Sequence, residues 1–274
     1  MKRWILTALC LLVILAVLDV ASGQRWWRRS DPRNGVPTWD LHPTMPRDVF
    51  TFVRVRYTSA GRGWGAGWDT DHPDAELNLA HRLHEMTSIS TYPNDLPLEL
   101  TDPRLTEYPF IYMVEPGSLY LYENEAVALR NYLLNGGFLM VDDFWGDYEW
   151  GNFHDEFIGK VFPDRQLVDL SPDHPIFNII FPIPDQRQIP NIRRGWESQF
   201  DGVTWEYERG PGTKEPHYRG LFDDNGRLMA VICHNTDLGD GWEREGENEY
   251  YFREFSEKIA YPLGINILFY AMTH

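Results

Sequence analysis

The sequence predicts an α/β domain built around a mainly parallel sheet, and three observations lead to this prediction. Two short, continuously apolar runs, residues 110–114 (FIYMV) and 138–141 (FLMV), are typical of strands buried on both faces of a sheet. A helical pattern with short links separates them, so we expect parallel strands joined by a right-handed crossover. Aromatic residues make up 15% of the chain, which can supply a large core.

The domain begins with a strand, a loop and a helix. Residues 49–57 (VFTFVRVRY) predict the first strand, because the run begins continuously apolar and ends alternating. Residues 61–68 form a glycine-rich loop. A helix is expected to start near Pro73, since proline suits the first helical turn. Its apolar stripe is predicted to consist of Ala75, Leu79, Leu83 and Met86.

The remaining elements follow from apolar periodicity and turn residues. The helix between the two buried strands has a predicted face of Tyr122, Ala126, Leu129 and Leu133, with Gly136 as a left-handed C-cap. Residues 162–220 lack sustained periodicity and are interpreted as irregular insertions and short strands. Residues 227–234 (RLMAVICH) predict the last strand, and the acidic run 243–257 predicts a solvated face. Residues 261–274 predict an apolar helix that is too short to span a bilayer.

The N-terminus predicts export from the cytoplasm. Lys2 and Arg3 precede an apolar run over residues 4–18, which closes with small residues at 21–23. Residues 1–23 are therefore interpreted as a cleaved signal peptide or, alternatively, as an inner-membrane anchor that leaves the rest of the chain in the periplasm. An uncleaved segment would be the protein's one contact with a membrane. Residues 24–46 predict a linker, and residues 47–274 predict the α/β domain.

Charge and cysteine content restrict the possible partners. The formal net charge of −16 repels nucleic acid and anionic lipid, so neither is an expected partner. A glycan, a peptide or an envelope protein with a basic surface remains open. Cys10 falls within the export segment, which leaves Cys233 alone, so no intramolecular disulfide is expected. Cys233 is interpreted as a buried core thiol.

A functional site is predicted at the carboxyl ends of the parallel strands, where ligands collect in open sheets. Four segments are expected to meet there: residues 61–74, 115–117, 142–146 and 234–243. They predict a cleft lined by carboxylates and indoles. The candidate ligand-binding residues are Asp71, Glu115, Asp142, Asp143, Trp145, His234, Asn235, Asp237, Asp240 and Trp242. No catalytic residue, metal ligand or cofactor is assigned.

Several of these candidates also have a structural interpretation. Asp71 can cap the following helix, since short polar side chains are favoured at N-caps. Asp142 and Asp143 would point to opposite sides if the strand continued through them. Cys233 and His234 would likewise face apart on a strand, which argues against a nucleophile and its base.

The acids that follow the last strand could coordinate a cation. Asp237, Asp240 and Glu243 are spaced by three residues, as in a turn that presents oxygen ligands. The EF-hand spacing and its glycine are absent. A bound divalent cation is therefore less favoured by the sequence than a site without a metal.

Four motifs in order resemble a known bacterial family. YPFIYMVEPG (108–117), LRNYLLNGGFLMVDDFWG (129–146), HNTDLGDGWE (234–243) and GINILFYAMTH (264–274) look like the family called domain of unknown function 4159. That family is similar to class I glutamine amidotransferases, which implies a flavodoxin-type three-layer α/β sandwich. The resemblance also implies a cysteine nucleophile after the strand at 138–141, where this chain has Asp142, Asp143 and Phe144, whereas His234 matches the histidine that ends a later strand. Amidotransferase activity is therefore not expected.

Three functional hypotheses follow from the sequence. The first is a non-catalytic binding domain of the cell envelope, favoured by the absent nucleophile. The second is a hydrolase of envelope glycans or peptides that uses a carboxylate pair, with His234 or a metal assisting. The third is a purely structural or interaction protein in which Trp145 and Trp242 belong to the core.

Overall fold

The computed structural model describes residues 31–41, 49–59 and 67–274. The predicted export segment, most of the linker and most of the glycine-rich loop lie outside the described residues. The chain divides into two compact units, residues 1–38 and residues 39–274. In the described part of the first unit, the carboxylate of Asp31 accepts hydrogen bonds from the backbone N–H groups of Arg33 and Gly35 and holds a turn.

A seven-stranded sheet forms the centre of the second unit. Its strand order is β3-β1-β4-β6-β9-β8-β7, and β2 pairs separately with β5. The strands β3, β1, β4, β6 and β9 are parallel to one another. At one edge of the sheet, β8 pairs antiparallel with β9, and β7 pairs antiparallel with β8. The strands are β1 (Val53–Arg56), β2 (Thr58–Ser59), β3 (Leu96–Glu99), β4 (Phe110–Val114), β5 (Leu119–Tyr120), β6 (Phe138–Asp142), β7 (Val168–Asp169), β8 (His217–Phe222) and β9 (Leu228–His234).

Helices connect the strands and cover both faces of the sheet. They are α1 (Asp74–Met86), α2 (Glu123–Leu134), α3 (Gly146–Val161), α4 (Ile192–Asp201), α5 (Leu238–Glu243), α6 (Glu249–Tyr251), a π-helical segment (Phe252–Ala260) and α7 (Tyr261–Thr273). Among the described residues, no helix has both the length and the apolar character needed to cross a membrane.

Alternation along the strands divides the core into two layers. On β4, Tyr112 packs with α1, α7 and the π-helical segment, whereas Ile111 and Met113 pack with α2 and α3 on the opposite face. All five side chains of β4 are buried, as expected for a strand covered on both sides. The arrangement is a three-layer α/β sandwich with a mainly parallel sheet, so the predicted fold class is confirmed.

The sequence pattern gave wrong predictions at the ends of two helical stripes and in residues 162–220. Met86 and Tyr122 lie at helix ends beyond the sheet and are mostly exposed, unlike the rest of their predicted stripes. Residues 162–220 contain α4 and β8, which were not predicted as a helix and a long strand. The inward face of α4 consists of polar or small residues, including Arg194, while its aromatic residues point outward, so it has no inward apolar stripe. The acidic run 243–257 is largely helical and buries Phe255, while its acidic side chains are half-buried or exposed, as a solvated face requires.

Candidate functional site

Two predicted loops meet at the carboxyl edge of the sheet. The N–H of Asp143 donates to the carbonyl of Thr236 at 3.2 Å, and the N–H of Asn235 donates to the carbonyl of Phe144 at 2.9 Å. The chain after β6 and the chain after β9 are therefore joined by backbone hydrogen bonds. The helix after β1 packs on one face of the sheet, and the helix after β4 packs on the other face. Because β1 and β4 are neighbours, their connections diverge at the carboxyl edge, which is where ligands bind in open α/β sheets.

Left-handed backbone conformations are concentrated at the same edge. In the described part of residues 39–274, four residues other than glycine have a positive φ: Asp71 (61°), Glu115 (46°), Asp143 (55°) and Asn235 (59°). All four are candidate site residues. Such conformations cost roughly 1–3 kcal/mol each and persist where the surrounding structure holds them, which is common at functional sites.

Asp142 is the last residue of β6 and is wholly buried. Its Oδ2 atom accepts hydrogen bonds from the hydroxyl of Tyr112 at 3.2 Å and from the N–H of Gly239 at 2.9 Å. Its Oδ1 atom has no hydrogen-bond partner among the described residues. Burial raises the pKa of Asp142 to about 7, although the hydrogen bonds oppose the shift.

Asp143 follows in a left-handed turn, so the alternation of a continuing strand does not apply to it. Its side chain is also buried, and Oδ1 accepts a hydrogen bond from Nε1 of Trp145 at 2.6 Å. Burial and then the charge of Glu115 hold the pKa of Asp143 well above its usual value. Both carboxylates after β6 therefore lie at the site, rather than one on each face of the sheet.

Five carboxylates form what we call the acid cluster: Asp71, Asp143, Asp237, Asp240 and Glu243. Oxygen atoms of three of them, Asp71, Asp143 and Asp237, lie within 4.8 Å of one another, and we call these residues the inner triad. The same holds for Asp71, Asp240 and Glu243, the outer triad. No histidine or cysteine belongs to either triad.

The two triads differ in how their charge is compensated. Arg244 contacts the outer triad, with Nε 3.2 Å from Asp240 and 2.7 Å from Glu243. Among the described residues, no ion pair reaches the inner triad. Burial, followed by the charge of Asp143, raises the pKa of Asp237 well above its usual value, and burial followed by the charge of Asp240 does the same for Asp71.

Asp71 does not cap the helix that follows it, so the capping interpretation was wrong. Helix α1 has no side-chain N-cap hydrogen bond, and Asp71 contributes only its backbone carbonyl, which accepts from the N–H of Ala75 at 3.1 Å. The Oδ2 atom of Asp71 is buried and has no hydrogen-bond partner among the described residues. The side chain is therefore left to the acid cluster.

Glu115 lies beside a small pocket next to the acid cluster. Its Oε2 atom accepts hydrogen bonds from the N–H of Gly67 and the hydroxyl of Thr70, which ties the loop after β1 to the end of β4. The pocket, of about 10 Å³, has room for about one water molecule. It is lined by Glu115, Gly117, Ser118, Asp143, Trp145, Glu149 and Arg209.

His234 and Asn235 hold the loop after β6 in place. Nε2 of His234 lies 3.2 Å from the carbonyl of Gly146, and burial lowers the pKa of His234 to about 3, so the neutral ring donates to that carbonyl. The amide of Asn235 accepts from the N–H of Gly146 and donates to the carbonyls of Gly212 and Glu215. Both side chains are thus occupied by backbone groups.

The predicted indole-lined cleft differs from what the structure shows. Trp242 is wholly buried and packs against Tyr112 and Gly264, and Trp145 is only 4% exposed. Trp242 belongs to the core, as the structural hypothesis expected, whereas the ring of Trp145 lines the small pocket and donates to Asp143. Sequence reasoning missed Tyr112, Glu149 and Arg209, since Tyr112 lies inside an apolar strand and Arg209 in a segment without periodicity.

Comparison with known proteins identifies a family. The family model described as domain of unknown function (DUF4159) matches residues 51–272, and the chain belongs to that family. This confirms the family that the four motifs predicted. No curated protein matches the chain. The similarity to amidotransferases stays a prediction.

Proposed function

We propose that this protein is an exported domain of the cell envelope that binds a small cationic ligand at the carboxyl edge of its sheet. The observation that carries the proposal is the inner triad, in which two buried carboxylates and the half-buried Asp71 lie in mutual contact range without a paired base among the described residues. Carboxylates removed from water are costly unless they are paired with a cation or protonated. A ligand of positive charge would supply the missing partner.

The shape of the site favours a small ligand over a polymer. The candidate residues after β6 and β9 are buried, both indoles are nearly inaccessible, and the adjoining pocket has room for about one water molecule. An extended glycan or peptide needs an open groove with exposed rings or backbone partners. A metal ion, or one amino group inserted from a larger molecule, fits the available space.

The side chains favour binding over nucleophilic catalysis. The left-handed turn after β6 carries Asp143, and burial raises the pKa of the Cys233 thiol well above its usual value, which leaves the thiol unreactive. The Nε2 atom of His234 is held by the carbonyl of Gly146 and its Nδ1 atom lies 3.4 Å from Arg219. Among the described residues, the site therefore pairs no nucleophile with a free base.

The proposed location rests on the N-terminal sequence. A basic pair, an apolar run and small residues precede the domain, in the order of a secretory signal. A fusion of residues 1–46 to a reporter enzyme that is active only outside the cytoplasm should show activity. Replacing the apolar run with polar residues should abolish it, and reporter activity that survives this change would contradict export.

Binding is tested by calorimetric titration of the full chain, after exhaustive chelation, with Ca²⁺, Mg²⁺, spermidine and a short lysine peptide. At least one should bind saturably, and the double variant Asp143→Asn/Asp237→Asn should lose that binding. A protein that binds none of them, or a double variant that binds as well as the wild type, would refute the proposal.

A carboxylate-dependent hydrolase is the second candidate, and the environment of Asp142 favours it. A carboxyl with a pKa of about 7 can donate a proton near neutral pH, and the small pocket lies beside the adjoining Asp143. Incubation with purified envelope glycan and peptide fractions, followed by mass spectrometry, should then show products that the Asp142→Asn variant does not release. Equal product from that variant would exclude this role for Asp142.

A further inference from the structure

We infer that the inner triad of Asp71, Asp143 and Asp237 holds one hard divalent cation, with Ca²⁺ preferred. This inference rests on the proposed cationic-ligand function and names the ligand as a metal ion bound directly by carboxylate oxygens. It also chooses between two overlapping groups of acids, since the outer triad shares Asp71.

The spacing of the inner triad suits one ion. Three oxygens that all lie within 4.8 Å of one another leave a central point close to each of them. That point is within roughly 2.8 Å of all three atoms, slightly beyond the roughly 2.3–2.6 Å of calcium–oxygen contacts. Small rotations of the side chains would bring all three oxygens into the coordination shell.

Unpartnered oxygens give a second, independent indication of a ligand. The buried Oδ2 atom of Asp71 lacks a hydrogen-bond partner among the described residues, and it lies near Gly239, as does Oδ1 of Asp237. A Cβ atom placed on Gly239 would lie 2.8 Å from this Oδ2 and 3.5 Å from Oδ1 of Asp237. Two acidic oxygens thus lie beside a residue without a side chain.

Asp142, next to Asp143 in the chain, is another buried acid with an unpartnered oxygen. It is 0% exposed, its Oδ1 atom has no partner among the described residues, and its Oδ2 atom accepts from the N–H of Gly239. Asp142 shares Gly239 with the triad, because a Cβ on this glycine would lie 2.8 Å from Oδ2 of Asp71 and 3.5 Å from Oδ1 of Asp237. A cation at the inner triad would therefore also offset this fourth buried acid.

Charge compensation separates the inner triad from the outer one. Arg244 already contacts Asp240 and Glu243, and Asp240 also accepts a hydrogen bond from the N–H of Ile192 at 2.7 Å. The guanidinium of Arg244 thus balances part of the charge of the outer triad. Within the described part of the chain no ion pair reaches the inner triad, and only the more distant charges of Arg209 and Arg54 act on Asp143 and Asp71.

The ligand chemistry favours a hard ion. Both triads consist of carboxylates alone, and oxygen ligands select Ca²⁺, Mg²⁺ or Mn²⁺ over softer metals. Mg²⁺ demands a near-ideal octahedron and keeps several waters, whereas Ca²⁺ accepts irregular shells with many carboxylates. The adjoining pocket has room for about one water molecule, so the crowded carboxylates favour Ca²⁺.

The test is calorimetric titration of the chelated full chain with CaCl₂ and, separately, MgCl₂, together with thermal unfolding in each. We expect one Ca²⁺ per chain and weaker binding of Mg²⁺. At a free Ca²⁺ concentration of about one hundred times Kd, the midpoint of unfolding should rise by roughly 5–10 °C. Asp143→Asn and Asp237→Asn should each weaken Ca²⁺ binding by at least about tenfold.

Two further variants locate the ion. Glu206→Gln is a matched control, because Glu206 is a buried acid with a raised pKa that belongs to neither triad. It should leave Ca²⁺ affinity unchanged. Glu243→Gln should keep affinity within about threefold if the ion sits in the inner triad. A tenfold loss in Glu243→Gln, with full binding in Asp143→Asn, would overturn the assignment.

The stability of the cation-free variants distinguishes a metal site from a structural network. In the chelated protein, neutralising one of several repelling carboxylates should keep or raise the unfolding midpoint, so a folded Asp237→Asn that no longer responds to Ca²⁺ supports the inference. Should both asparagine variants fail to fold, the wild-type titration still decides. If neither metal binds but spermidine or the lysine peptide does, the metal inference fails while the proposed function stands. If no cation binds, both fail.

Discussion

Two groups of charged side chains lie inside the domain, an ion pair between β1 and α1 and the inner triad after the strands, and they are built differently. Arg54 and Glu76 form an ion pair with both side chains 0% exposed, and the guanidinium also donates to the carbonyls of Trp68 and Thr70. The inner triad collects three acids without such a base among the described residues. Each group retains unpartnered atoms, yet only the first contains its own counterion. Under our proposal, the triad binds its counterion from solution.

The largest expected effect comes from removing the base of the compensated pair. Arg54→Met leaves Glu76 buried without its partner, which should lower the free energy of unfolding by about 3–5 kcal/mol. Urea unfolding followed by tryptophan fluorescence measures it. The double variant Arg54→Met/Glu76→Leu should recover most of the loss, because both charges are then removed. A loss below about 1 kcal/mol for Arg54→Met would show that the buried ion pair contributes little to stability, and the contrast with the triad would fail.

A smaller effect is expected from crowding the triad without changing its charge. The Cβ of Gly239→Ala would lie 2.8 Å from Oδ2 of Asp71 and 3.0 Å from the hydroxyl of Tyr112, so the Asp71 carboxylate must shift. We expect about a tenfold loss of cation affinity, equivalent to about 1.4 kcal/mol, measured by calorimetry. Gly151→Ala is the control, since a Cβ there meets no atom within 4 Å. Equal affinities for the two variants would place the ion away from Asp71.

A pH-dependent effect concerns a buried base that the fold keeps neutral. The pKa of His234 falls from 6.5 to about 3, first through burial, while Arg219 and His217 of β8 face the ring and oppose its charge. A lowered folded-state pKa means that the unfolded chain binds the extra proton. Its contribution to stability is therefore complete above pH 6.5 and is lost as the pH falls toward 3.

His234→Gln tests this sign. Glutamine keeps a donor for the carbonyl of Gly146 but cannot take up a proton, so its free energy of unfolding should fall less between pH 7.5 and pH 4.5 than that of the wild type. Urea titrations at the two pH values give the difference. His217→Gln should change the slope less, because His217 is half-exposed. A steeper loss in His234→Gln than in the wild type would contradict the assignment of a neutral ring.

Much of the fold could be predicted because its signals are local. The runs at 110–114 and 138–141 are buried strands, and the helix between them begins and ends near the predicted residues, whereas α3 after the second run was not predicted. The meeting of the loops after β6 and β9 also follows from parallel strands, whose carboxyl ends share one edge. Helix α4 was missed because its buried side is polar, and no periodicity marks such a helix.

The site itself could be predicted only in part. Its acids were identified because they follow strands, and Asp71, Asp143 and Asp237 were all among them. That they form one triad, and that Trp242 lies in the core rather than in a cleft, depends on contacts between residues far apart in the chain. Arg209 gave no signal at all, since it comes from an irregular segment.

The sequence by itself determined the buried central strands, the helices α1, α2 and α7 and the edge at which the acids gather, because hydrophobic period and strand direction are properties of neighbouring residues. The tertiary structure alone decided which buried carboxylates have a counterion. Charge compensation acts through space over a few ångströms, so it depends on which distant segments become neighbours. Arg244 contacts the outer triad and no base contacts the inner one among the described residues, a difference that no local pattern contains.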